Sequence, residues 1–178
     1  MSSCCGSVSL LVLLGVVFAA GSPARYVSEN MRQTHESIAA VLSLKQPEII
    51  TNPLFSSVIR SLNTSCQGRE ELKLMNVTLD IYMRIFSSIL HHQHKTGTPA
   101  LLDQVPDSER SKVKEDLKVI RGKMEALKRH LNHPSHDRED VISKLNMIKV
   151  DDPLVQKKAL AEFKEVYQAA SVVAGRRC

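Results

Sequence analysis

Seven histidines and four cysteines are the side chains of this 178-residue chain best suited to hold a metal or form a covalent bridge. His91, His92 and His94 form one histidine group, and His130, His133 and His136 form another. A zinc site needs ligands fixed in tetrahedral geometry by ordered elements. These two groups flank polar linkers at different helix junctions, so solvated loop histidines are expected and no metal ligand set is assigned. His35 falls on an apolar helical stripe and reads as a satisfied, half-buried side chain. Cys4 and Cys5 lie in an N-terminal leader, which leaves Cys66 and Cys178 to bridge each other or another chain. There is no GxSxG, no glycine-rich phosphate loop and no catalytic cysteine motif. The carboxylates are scattered over helix faces beside Lys and Arg, so the chain reads as a non-enzyme without a cofactor. Two triplets, Asn63-Thr64-Ser65 and Asn76-Val77-Thr78, are N-glycosylation acceptors.

These residues must be placed by helices. From Glu70 to His91, Leu72, Met75, Leu79, Tyr82, Phe86 and Ile89 repeat at 3-4-3-4-3 spacing, one face of an α-helix. Leu74, Val77, Ile81 and Ile85 form a second stripe beside it. Only Lys73, Asn76, Asp80, Arg84 and Ser87 make a polar strip, on which a glycan at Asn76 has room. A helix apolar over most of its circumference must be wrapped by other helices. This is the core helix.

Leu10 to Ala20 is an apolar run too short to span a bilayer and is followed by small residues. Residues 1–21 therefore read as a secretory signal, 22–173 as one helical domain and 174–178 as a short tail. The product is expected to be secreted, without membrane insertion. Aromatics are only 4% and Trp is absent, which favours helix. The net charge of +5 suits an acidic partner. Lys114, Lys118 and Arg121 share one helix side and suit weak binding of a sulfated glycan, although Glu115, Asp116 and Glu125 interrupt the field. No basic stretch is interleaved with aromatics, so nucleic acid is not expected.

The first helix is predicted over Glu29 to Lys45, with Met31, His35, Ile38 and Leu42 inward and Pro47 ending it. Asn52-Pro53 predicts the start of a second helix, and Asp152-Pro153 the start of the last. Between them, Val113, Leu117, Ile120, Met124, Leu127 and Leu131 mark a long helix, and Val141, Leu145 and Ile148 a short one begun by Asp137. The reading is all-α, with six helices.

The segment Val155-Gln156-Lys157-Lys158-Ala159-Leu160-Ala161-Glu162-Phe163 resembles the signature of interferon gamma. Lys144-Leu145 through Val150-Asp151, Asn52-x-Leu54-Phe55 and the core helix with Tyr82 and Phe86 also fit. The resemblance implies a type II interferon: a six-helix cytokine fold, an intertwined homodimer whose last two helices pack around the partner's core helix, and class II cytokine receptor chains as partners. JAK–STAT signalling, macrophage activation and antiviral defence follow from it. It places receptor contacts at Tyr26, Glu29, Arg32, Gln46, Pro47, Glu48, Ile49, Ile50 and Thr51, with Glu162 nearby. The chain departs from mammalian-type members in three ways. Ala161 replaces a receptor-facing His, Asn52-Pro53-Leu54 is no glycan acceptor, and only Arg176 and Arg177 stand in place of a long basic tail. The short tail resembles the interferon-gamma-related branch of fishes. The alternatives are a monomeric or interleukin-10-like helical cytokine and a secreted carrier of an apolar ligand, which would need a large apolar cavity.

Overall fold

The computed structural model describes residues 27–62, 68–91, 99–131 and 139–175. In chain order these form α1 (Glu29–Val41), α2 (Pro47–Ile50), α3 (Ser56–Ser61), α4 (Gly68–His91) and a 3-10 turn (Leu101–Gln104). They continue with α5 (Asp107–Leu131), α6 (Glu139–Asn146), α7 (Pro153–Ala161) and α8 (Phe163–Gly175), with no strand among the described residues. The fold is all-helical, as the apolar spacing predicts, and is consistent with a helical cytokine.

The core helix is α4, against which α3, α5, α6, α7 and α8 all pack. Met75, Leu79, Tyr82, Ile85 and Phe86 are completely buried, and Leu74, Ile81 and Ile89 nearly so. Leu72 and Val77 lie half-buried at the stripe edges, while Asp80 and Arg84 face solvent. Removing a leucine such as Leu79 from water contributes about 1.5–3 kcal/mol, so the α4 stripes supply much of the drive to fold. On α5, every residue of the predicted stripe from Val113 to Leu131 is buried. This helix sits between α4 and α1, and Asp80 of α4 pairs with Lys128 of α5 across their junction.

The departures from the sequence reading lie at helix ends. The first helix stops at Val41 rather than Lys45, because Leu42 and Leu44 are both buried. To bury both, Ser43 turns left-handed (φ 55°), Leu44 N donates to Ala39 O at 3.0 Å and Ser43 N to Ala40 O at 3.4 Å. This is a Schellman ending built on Ser instead of Gly. Asn52-Pro53 does not start a helix: Asn52 is left-handed (φ 54°) and α3 begins only at Ser56. Instead, Pro47 heads the single turn α2. Asp152 does cap α7, its Oδ1 accepting from Leu154 N at 2.8 Å. The predicted final helix is broken into α7 and α8 at Glu162, where no Gly or Pro signals a break.

Candidate functional site

The break at Glu162 organises a buried polar cluster. A helix end leaves carbonyls without intrahelical donors, and two distant side chains serve those of α7. Tyr82 donates its hydroxyl to Ala159 O at 2.9 Å from α4. His35 reaches Leu160 O at 2.7 Å through Nε2 from α1, so the ring carries its proton on Nε2. Its Nδ1 is buried with no partner among the described residues. Protonation there would leave a donor without an acceptor, and burial accordingly pushes the His35 pKa down. Every aromatic side chain among the described residues joins this cluster. Phe55 stacks on Tyr82 at 4.8 Å between ring centroids, and Phe163 touches His35, Tyr82, Phe86 and Tyr167.

Glu162 itself is only 6% exposed. Its carboxylate accepts from Leu54 N at 2.6 Å and Phe55 N at 2.8 Å. Burial pushes its pKa up, and the two backbone donors oppose that rise. Glu162 thus points into the protein and holds the start of α3. This has a physical reason, since the carboxylate supplies acceptors for backbone N–H groups that no local residue satisfies. Gln156 is likewise internal, donating through Nε2 to Ser88 Oγ at 3.1 Å and Val150 O at 3.0 Å. Of the segment from Val155 to Phe163, Gln156, Ala159, Leu160, Glu162 and Phe163 face inward. That motif is a packing motif.

Outward, α2 and α7 pack together. Adjacent isoleucines divide, Ile49 being buried and Ile50 58% exposed. Gln46, Glu48 and Thr51 are exposed, as is Pro47. Thr51 Oγ1 donates to Pro47 O at 2.7 Å, and Lys158 Nζ on α7 donates to Thr51 O at 3.1 Å. Leu154, 47% exposed, joins Ile49, Glu48 and Lys157 around one hollow of this face. Ile49 thus belongs to the floor of the surface and not to its crest.

The second part is the start of α1. Ser28 Oγ caps it by accepting from Met31 N at 3.3 Å. Arg32 is bound by Glu29 through two nitrogens, at 2.5 and 2.9 Å, and by Glu36 at 2.7 Å. These carboxylates, Glu29 foremost, hold the guanidinium protonated more firmly than usual. Beside them an open groove of about 740 Å³ runs between α1, α3 and α8, lined by Val27, Arg32, Ile59, Lys164, Glu165 and Ala169. It opens to solvent, unlike the enclosed cavity that a carrier needs. The structure brings Gln46 to Thr51 together on one loop and sets Glu29 and Arg32 on another element. Tyr26, Asn63, Cys66 and Cys178 lie outside the described residues.

Asn76 is half-buried, its Nδ2 donating to Leu131 O at 3.0 Å, while its Oδ1 is buried without a partner among the described residues. A sugar on that nitrogen would be wedged against the end of α5. On the outer face of α5, Lys118 is engaged by Glu115 at 2.6 Å and Lys112 by Asp116 at 2.7 Å. Among the described residues, no group of three His, Cys, Asp or Glu could hold a metal ion, and no helix is long and apolar enough to cross a membrane.

Of these roles, the inward ones of Tyr82 and of His35 were readable from helical spacing. The Glu162 clamp was not, because it joins residues 107 and 108 positions apart.

Comparison with known proteins gives one informative likeness. The chain is 28% identical over 148 residues to a goldfish (Carassius auratus) protein named Interferon gamma 1, covering 83% of this chain and 74% of that protein. No family model matches, and no solved structure matches. The chain is thus interferon-gamma-like over most of its length, and its all-helical fold agrees.

Proposed function

We propose that this chain is a secreted cytokine of the type II interferon kind, which binds class II cytokine receptor chains and triggers JAK–STAT signalling to activate macrophages and antiviral defence. The observation that carries the reading is the likeness to an interferon gamma over 148 residues, in a chain whose described secondary-structure elements are all helices. The contact surface is the face made by Glu48, Ile50 and Thr51 on the α2 loop, supported by α7, together with Glu29 and Arg32 on α1. An isoleucine 58% exposed on a loop tied down at both sides fits this use, since binding energy concentrates in apolar anchors held rigid before contact.

A homodimer belongs to the same reading. Exchange of α6, α7 and α8 between two copies would keep every contact on α4 and present the surface twice, with no new interface chemistry. Sedimentation of the mature chain under reducing conditions should then give the mass of two chains. A single-chain mass would restrict the proposal to a monomer with one surface.

The test of receptor use is binding of the mature chain to immobilised class II cytokine receptor ectodomains. Saturable binding to at least one is expected, and replacing the exposed Glu48 and Ile50 together by Ala should weaken it at least about tenfold, about 1.4 kcal/mol. Helicity should survive, because α2 is a single turn at the edge of the core. A folded wild-type chain that binds none of these ectodomains would contradict the proposal.

A further inference from the structure

We propose that Glu162 is the positioning residue of the receptor loop: from inside the core, its carboxylate fixes residues 51–55 in the one shape that presents Glu48 and Ile50. The inference rests on the receptor reading of that loop given above.

The loop cannot hold this shape alone. The helix α2 is only four residues long, far below the length at which a helix is stable by itself. Asn52 stands at φ 54°, a left-handed conformation that asparagine tolerates better than most residues but that only glycine adopts freely. Leu54 and Phe55 have N–H groups ahead of α3, and Phe55 provides no side-chain cap. Glu162 supplies what is missing, one carboxylate oxygen to each of these two N–H groups, at 2.6 and 2.8 Å. Charged acceptors on backbone donors are among the strongest hydrogen bonds in proteins. Lys158, one turn earlier on α7, secures the other side of Asn52 through Thr51 O.

The consequence concerns Ile49 and Ile50. Neighbours in sequence, they present opposite faces, one buried and one exposed. A loop released from Glu162 loses the constraint that decides which isoleucine is buried. Glu162 thus acts on a partner it never touches.

Glu162→Gln tests this, because it keeps the side-chain shape but turns an N–H toward one of the two donors. Amide hydrogen exchange at Leu54 and Phe55 should accelerate at least about tenfold, the loss of about 1.4 kcal/mol of local protection. Affinity for the receptor ectodomain that the wild-type chain binds should fall about tenfold, mainly through slower association. Ile50→Ala, a contact variant, should lose affinity with exchange unchanged at Leu54 and Phe55. Unchanged exchange in Glu162→Gln would overturn the proposal. Faster exchange with unchanged affinity, beside a loss in Ile50→Ala, would also overturn it while leaving the receptor reading intact. Unchanged affinity in both variants would remove the loop from the receptor surface, and the proposal would fall with that reading. Should Glu162→Gln fail to fold, Glu162→Asp, which keeps the charge but withdraws the carboxylate by one methylene from Leu54 N and Phe55 N, takes its place with the same two readouts, and unchanged exchange there would overturn the proposal.

Discussion

His35 sits in the core as a neutral imidazole, one nitrogen bound to Leu160 O and the other buried with no partner among the described residues. That arrangement makes stability depend on pH with a definite sign. The pKa of His35 is lowered by the fold, so the unfolded chain takes up the proton first as pH falls below the ordinary 6.5. His35 therefore contributes stability above that pH which is lost as pH falls through its folded value. Glu162 has the opposite sign: its raised pKa means the fold binds the proton more tightly, so its contribution is fully present below the ordinary carboxyl range and is lost as pH rises through the raised folded value. His35→Gln should therefore reduce the loss of melting temperature in the window just below pH 6.5. Melting curves across that window check this. An unaltered slope in His35→Gln would mean that other groups set the acid response.

The decisive elements are α4 and the broken pair α7–α8. Leu79 lies at the centre of α4 with no exposure at all. Leu79→Asp would place a carboxylate among Tyr82, Phe86 and Met75 without a counter-ion. Such burial costs several kcal/mol against a total stability of about 5–15 kcal/mol, so the helical signal by circular dichroism should collapse. Wild-type helicity in Leu79→Asp would contradict the place given to α4. The stripes of α4 and α5 were legible because burial follows helical spacing, from Leu72 to Ile89 and from Val113 to Leu131. The cap at Asp152 was legible because a carboxylate before Pro153 acts on its own two neighbours. The break at Glu162 was not, since it depends on partners from α1, the α3 start and α4 rather than on Gly or Pro. Ser43 and Asn52 were hidden for a related reason. Each adopts a left-handed conformation that its residue type does not require, because the burial of Leu44 and the tether at Leu54 outweigh the local cost.

At the scale of the molecule, the chain divides its polar chemistry in two. Buried polar groups (His35, Tyr82, Gln156 and Glu162) fix how α7 meets the rest of the core. Exposed ones on α5 pair partly within their own helix, as Lys118 does with Glu115, and partly across to others, as Lys112 does with Ser37 of α1. The surface proposed for a partner is the face where α2 lies on α7, with the start of α1 as a second element. The candidate contacts were therefore legible as a loop but not as side chains, since spacing alone does not separate Ile49 from Ile50 or turn Glu162 inward. The reading that follows is a cytokine whose activity lies in a loop held from inside. The most direct test is exposure of macrophages to the chain without the proposed leader, residues 1–21, with STAT tyrosine phosphorylation measured over the following minutes. Dose-dependent phosphorylation, abolished by excess soluble ectodomain of the receptor it binds, is the predicted result. A correctly folded chain that evokes no phosphorylation at saturating dose would contradict the account.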